Sequence, residues 1–377
     1  MAMIAVAGEA LIDLVAGTGG QVDAHPGGGP YNAARTLARL GIPVAFLGRL
    51  AGDGFGRLLR ERLSAEGVTL GLPEPSARPS TLAVAALDAA GVADYAFYLD
   101  GTAAADVSYE VLRAALETLT ARPGGLTAVH VGTLGLLMEP VGAAIERLVL
   151  TDVPPDVLVF LDPNCRPGAV TDAAAYRARI SAIARRADIV KASVEDLAYL
   201  YPGASPEAAA KTLLAAGTPL VLVTDGPHPA RAFLAGTVLS AEAPSVTVAD
   251  TIGAGDAFGG GFLAWWTEHG LVRGDLYRSG DDRARDDRAR DDSAGDDRAR
   301  DDSAGDDNAG DDRARDDSAG QGDASQGGTG QRLEELVSRA LHAAAAVAAL
   351  TCARPGADPP ALSEVVANGW WPEPGPA

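Results

Sequence analysis

DTIGAGDAFGGGF, residues 250–262, decides how the chain is read. A β-rich run at 246–248 leads into three small residues, Gly253, Ala254 and Gly255, and from Asp256 onward the pattern turns apolar and helical. Small residues at a helix start let backbone N–H groups converge where aligned peptide dipoles favour negative charge, an arrangement suited to a phosphoryl group in transfer. Asp256 stands directly beside those amides. A carboxylate next to an anion site is unfavourable unless it has a task, and accepting a proton from an attacking hydroxyl is such a task. The plainer alternative is that Asp256 only caps the helix, because Asp is favoured at helix starts and glycine-rich turns are common.

Working outward, short β-branched runs at 4–7, 44–47, 128–131, 157–161, 189–191 and 220–223 alternate with alanine-rich stretches such as 32–40, 55–66 and 206–216. The latter carry apolar residues at three and four spacing. This is the pattern of βαβ units around a mostly parallel sheet flanked by helices, an α/β class. The runs 81–87 and 94–99 flank Gly91 and read instead as a hairpin, and a hairpin on a parallel α/β body suits a lid. We expect a small β lid from about 12–26 and 80–102 on one domain covering 1–377.

The net charge is −20 over 377 residues. An acidic surface argues against a nucleic-acid partner, which needs clustered Lys and Arg. Residues 281–320 hold eight five-residue units of the DDRAR, DDSAG and DDNAG kinds, with sixteen Asp against eight Arg. The block has no apolar residue larger than alanine, so it cannot bury enough surface to offset the entropy of ordering. We expect a disordered insertion at about 273–330, the margins included for their Gly, Ser and Gln content. Cys165 and Cys352 have no CxxC spacing, so neither a disulfide framework nor a thiolate zinc site is implied, and a reducing cytoplasm is expected. The start lacks a basic leader and carries Glu9 and Asp13, and the alanine run near 345 reads as too short to span a bilayer; no membrane segment is expected. No GxxxxGK[ST] element occurs, and five scattered histidines do not suggest a zinc or triad mechanism.

DTIGAGD resembles the DTxGAGD signature of the PfkB, or ribokinase-like, carbohydrate kinases. GGGPYNAARTLARLG, 27–41, resembles its N-terminal companion, and GEALIDL, 8–14, GRLAGDGFG, 48–56, and FLDPNCRP, 160–167, follow in family order. The resemblance implies a ribokinase-like fold and ATP-dependent phosphorylation of a sugar with Mg2+. It makes Asp256 the base, with Gly253, Ala254 and Gly255 as the anion hole. It places Asp13, Gly27, Gly28, Asn32 and Arg166 on the sugar. It places Lys191 and Ser193 of KASVEDL, with Thr224 and Gly226 of VTDGPHPA, on the nucleotide beside Gly253 and Gly255. Ser193 and Asp196 depart from the family's N-x-x-E element, Ala51 and Ala230 replace motif glycines, and Gly29 stands where ribokinases carry Lys. Residues 340–360 are similar to the family's adenine-side helix and following turn. A monovalent cation such as K+ near Asp250 and Ile252 is a further implication, as is a homodimer through the lid. The combination is similar to fructokinases, with 2-keto-3-deoxygluconate kinase, ribokinase and nucleoside kinase as alternatives separated by lid side chains such as Tyr95, Phe97 and Tyr98, which otherwise serve as hairpin core. In a different class, the chain would be a non-catalytic sugar or nucleotide sensor that kept the fold.

Overall fold

The computed structural model describes residues 2–16, 21–87, 93–277 and 325–373. The repeat at 281–320 and the turn at Gly91 lie outside the described residues. One compact unit comprises Met1–Leu276 with Leu336–Ala377; a second comprises Tyr277–Glu335, of which only Tyr277 and 325–335 are described.

The first unit is built on a nine-stranded sheet. Its parallel part contains β1 (Met3–Ala7), β4 (Val44–Leu47), β5 (Thr69–Leu70), β8 (Leu126–Gly132), β9 (Leu158–Asp162), β10 (Ile189–Ser193) and β11 (Leu220–Asp225). The order is β13-β12-β11-β10-β9-β8-β1-β4-β5, with β12 (His228–Leu234) and β13 (Thr237–Ala241) pairing antiparallel at one edge. The six parallel strands foreseen are all present. They are short Val, Ile, Leu and Ala runs buried on both faces, as expected of strands covered by helices on either side. A separate four-stranded sheet joins β2 (Leu11–Ala16), β3 (Val22–Gly27), β6 (Leu82–Leu87) and β7 (Ala93–Tyr98) in the order β3-β2-β6-β7.

Two helices position the site, α1 (Gly29–Arg39) and α8 (Ala254–Glu268). Phe258, Phe262, Trp265 and Trp266 are all buried, so α8 is apolar around its circumference and runs through the core. The glycine run within it has a packing reason, because a Cβ on Gly260 would stand 2.8 Å from Thr36 of α1. Between them lie α2 (Gly54–Ala65), α3 (Tyr109–Thr120), α4 (Val141–Thr151), α5 (Ala173–Arg186), α6 (Val194–Leu200) and α7 (Pro206–Ala215). The chain ends with α9 (Ser325–Cys352) and α10 (Leu362–Ala367).

Three expectations are corrected. The run at 246–248 forms no strand: it has no ladder partner, and the chain instead docks on the C-terminal segment, with Ala249 N–H donating to Cys352 O at 2.8 Å. The alanine run is part of a 28-residue helix, so Gly330–Cys352 is long and apolar enough to cross a membrane. Leu336, Val337, Leu341 and Val347 of that helix are buried in the protein, which is how a core helix satisfies the same length test. Ordered elements also reach both margins of the interval set aside as insertion. Arg273–Leu276 is a 3-10 turn in which Leu276 is buried and Asp275 accepts from Val272 N–H at 2.8 Å, and α9 already includes 325–330.

Candidate active site

The parallel strands point their C-terminal ends to one side, and the motif residues emerge there, where open α/β sheets bind ligands. Glu9 follows β1, Thr133 follows β8, Asp162 ends β9 with Asn164 just beyond it, and Ser193 and Thr224 are register partners at the C-terminal ends of β10 and β11. A cavity of about 470 Å3 lies at this side, lined by residues that include Asp13, Gly28, Asn32, Arg166, Gly255 and Asp256. Its size falls in the range of small-ligand sites. The lid contributes Tyr95 and Phe97, whose stacked rings are 6.1 Å apart. Tyr98, on the alternate face of the same strand, is 58% exposed and does not line the cavity.

Gly253 is the N-cap of α8 with φ of 77°, and a Cβ there would meet Ala357 at 2.6 Å, so both backbone and packing require glycine. Asp256 sits in the first helical turn, but its carboxylate does not cap the helix. Asn32 Nδ2 donates to Oδ2 at 2.9 Å and Asn164 Nδ2 donates to Oδ1 at 3.2 Å. Two amides from two distant motifs therefore orient one buried carboxylate. Burial raises its pKa above the usual carboxylate value, and the Asn32 hydrogen bond, Lys191 and Arg166 pull in the opposite sense. Asn164 reaches it from a left-handed backbone, φ 38°, a conformation Asn tolerates better than most residues.

The expected anion-binding amides are modified in one respect. Ala254 N–H is occupied by a turn to Thr251 O at 3.2 Å. The N–H groups of Gly253 and Gly255 meet no acceptor among the described residues, and both residues line the cavity.

Asp13, on β2, is pushed up to about 6 by burial, with Arg166 opposing and Asp256 adding to the rise. Asn32 Nδ2 is engaged with Asp256, and its Oδ1 is buried without a partner among the described residues. Gly28 is the N-cap of α1 and Gly27 ends β3 against Leu11, at the cavity's lid side. Arg166 is exposed over the cavity, with Nη1 donating to Asn164 Oδ1 at 2.6 Å.

The nucleotide-side expectations fare differently from one another. Lys191 is buried beneath α8 and pairs with Asp162 Oδ2 at 3.0 Å, its Nζ 2.9 Å from where a Gly255 Cβ would stand. It is thus not a surface contact for a nucleotide; its charge acts from below the helix start. Burial opposes that charge most strongly, but Asp162, Asp196 and Asp256 more than compensate and its pKa is raised. Ser193 is the N-cap of α6 in a capping box, with its Oγ accepting Asp196 N–H at 3.1 Å and Asp196 Oδ2 accepting Ser193 N–H at 2.8 Å. Asp196 Oδ1 accepts from Cys165 N–H at 2.6 Å. This pair therefore ties α6 to the 160–167 loop, where the family element was expected to handle phosphate or magnesium. Thr224 is half-buried, and Gly226 occupies the β11–β12 turn with φ of 50°. Asp250 has both oxygens engaged, by Ile252 N–H at 3.0 Å and Gly356 N–H at 2.8 Å, so its carboxylate already serves the loop that a monovalent cation would share. Asp53 caps α2 through Gly56 N–H at 2.8 Å and holds Ser80 Oγ at 2.7 Å, which makes it a loop tether.

Glu9 is a site residue that sequence alone did not single out. Its carboxylate is fully buried at the cavity, accepting Gly135 N–H at 2.7 Å and Gly29 N–H at 3.1 Å, and burial pushes its pKa up to about 8. It pins the start of α1, and hence Asn32, to the turn after β8.

A doubly covered parallel sheet, a small β lid and a buried carboxylate at a glycine-rich helix start frame one cavity of an α/β fold. The chain belongs to the pfkB family of carbohydrate kinases, whose family model matches residues 1–278. It is 38% identical over 266 residues to a fructokinase of Rhizobium leguminosarum bv. trifolii, covering 70% of this chain and 79% of that one. Its fold is similar to that of a fructokinase from Xylella fastidiosa solved with bound ATP, with TM-score 0.73, 24% identity and coverage of 97% of each chain. It is also similar to an aminoimidazole riboside kinase from Salmonella enterica, with TM-score 0.59 and 25% identity over 71% of this chain and 85% of the other.

Proposed function

We propose that the protein transfers the γ-phosphoryl group of ATP to a sugar hydroxyl, with fructose as the sugar and fructose 6-phosphate as the product. The observation that carries this is the Asp256 carboxylate, buried at the cavity and fixed by Asn32 and Asn164 at a helix start with two unengaged N–H groups. Asp13 accepts hydrogen bonds from sugar hydroxyls and Arg166 donates from the exposed rim. Asp256 takes the proton of the acceptor hydroxyl as its oxygen bonds to the γ-phosphorus and the ADP oxygen leaves. The Gly253 and Gly255 amides, with Lys191 below them, stabilise charge on the transferring group. Magnesium bound to the nucleotide would supply further charge neutralisation. The fructokinase relatives favour fructose over 2-keto-3-deoxygluconate or ribose, and the intact base disfavours a sensor. We place pairing of two copies on the lid, where Val22, Tyr95 and Tyr98 are more than half exposed.

The test is ADP release with MgATP against fructose, 2-keto-3-deoxygluconate, ribose and adenosine, alongside Asp256→Asn. Turnover of fructose that falls by about 10²–10⁴ in the variant supports the assignment; no turnover of any acceptor refutes it.

A further inference from the structure

β8 ends at Gly132 and the chain turns into the cavity through Thr133, whose φ is 58°. A β-branched residue is disfavoured in the left-handed region, and such outliers persist where surroundings fix them, often at ligand sites. Thr133 is 6% exposed and lines the cavity. Its Oγ1 has no hydrogen-bond partner among the described residues. A Cβ on Gly29 would fall 2.2 Å from Thr133 Oγ1 and 3.2 Å from Asp256 Oδ1. The hydroxyl therefore fills the volume that any side chain at position 29 would need, and it flanks the carboxylate of the base.

The hydroxyl opens on the cavity with no protein group to bond, so its donor and acceptor capacity is left for a ligand. Asp256 is not bonded to it: the hydrogen bonds that its two oxygens accept come from Asn32 and Asn164. Nor is a phosphate suited to this end of the cavity, where Glu9, Asp13 and Asp256 present three carboxyl groups. A sugar oxygen fits: it accepts from the threonine while neighbouring sugar hydroxyls donate to the carboxylates.

We propose that Thr133 is a substrate-contacting residue whose Oγ1 hydrogen-bonds a sugar oxygen next to the hydroxyl deprotonated by Asp256. This rests on the carbohydrate kinase assignment. The test compares Thr133→Val, which keeps the shape and removes the hydroxyl, with Thr133→Ser, which keeps the hydroxyl, and Thr133→Ala as a second hydroxyl-free variant should Val not fold. Steady-state kinetics with fructose and MgATP are measured beside melting temperature. The expected result is an about tenfold lower kcat/KM for the sugar in Val and Ala, carried mainly by KM. KM for MgATP should stay within about twofold, and Ser should match wild type. Wild-type kinetics in the hydroxyl-free variants would overturn the proposal, as would a Ser variant as impaired as Val or a matching rise in KM for MgATP. If the wild-type protein itself phosphorylates no sugar, the kinase assignment fails and this proposal with it.

Discussion

Removing the amide of Asn32 should move the pH dependence of the reaction in a direction fixed by the structure. Asn32 Nδ2 donates to Asp256 Oδ2 at 2.9 Å, and this bond opposes the rise that burial imposes on the carboxylate. In Asn32→Ala the charged form loses a donor, so the pKa of Asp256 rises further. Hydrogen bonds to charged groups contribute about 1.5–3 kcal/mol and one pKa unit corresponds to about 1.4 kcal/mol, which gives about one to two units. Water entering from the cavity replaces part of the bond, leaving about one. The base works only when deprotonated, so activity falls as pH drops through its pKa, and in the variant it falls from a higher pH. Measured as kcat/KM for fructose between pH 5 and 9, the acid limb should shift up by about one unit, with the variant's deficit larger at pH 6 than at pH 9. Asn164→Ala should shift it the same way by less, its bond being longer at 3.2 Å. A deficit of equal size at every pH would refute the reasoning and leave Asn32 as a sugar contact alone.

Three further outcomes are expected. Lys191→Met leaves Asp162 buried without its partner and should destabilise the protein by about 3–5 kcal/mol in urea unfolding, with much of the loss recovered in Lys191→Met/Asp162→Asn; a double variant no better than the single one would contradict the pairing. Because burial holds Asp13 near 6, KM for the sugar should rise as pH falls below about 6 while KM for MgATP holds, and Asp13→Asn should abolish that dependence. Deleting 281–320 should leave kcat and both KM values within about twofold, since the described cavity residues all lie outside it; a large loss would give the repeat a part in the reaction.

The α/β framework is legible in the sequence because each parallel strand is a short, continuous apolar run and each intervening helix keeps its three and four spacing. The lid hairpin is legible from two short runs on either side of Gly91, which pair antiparallel as β6 and β7. What escaped detection depends on contacts between segments far apart in the chain. The run at 246–248 has strand composition, but strand formation needs an open sheet edge, and the chain there meets Cys352 instead. Ser193 and Asp196 look like a variant phosphate element, yet their spacing is also that of a capping box, and the helix claimed them. Asn164 lay in a recognised motif, but its bond to Asp256 depends on a left-handed backbone that no spacing encodes. Thr133 and Glu9 follow ordinary strands and acquire meaning only where Gly29 and Gly135 approach them.

The catalytic turn is joined to residues on the far side of the acidic repeat. Cys352 O accepts the N–H groups of both Ala249 and Asp250, Gly356 N–H holds Asp250 Oδ2, and Arg35 of α1 donates to Ala357 O. A polypeptide that stops within the repeat would therefore carry every residue of the signature and still lack the clamp that holds it in shape. Conversely, a break of the backbone inside the repeat severs none of these contacts, so the stretches before and after it, produced as two separate polypeptides, should reassemble into a working enzyme by fragment complementation.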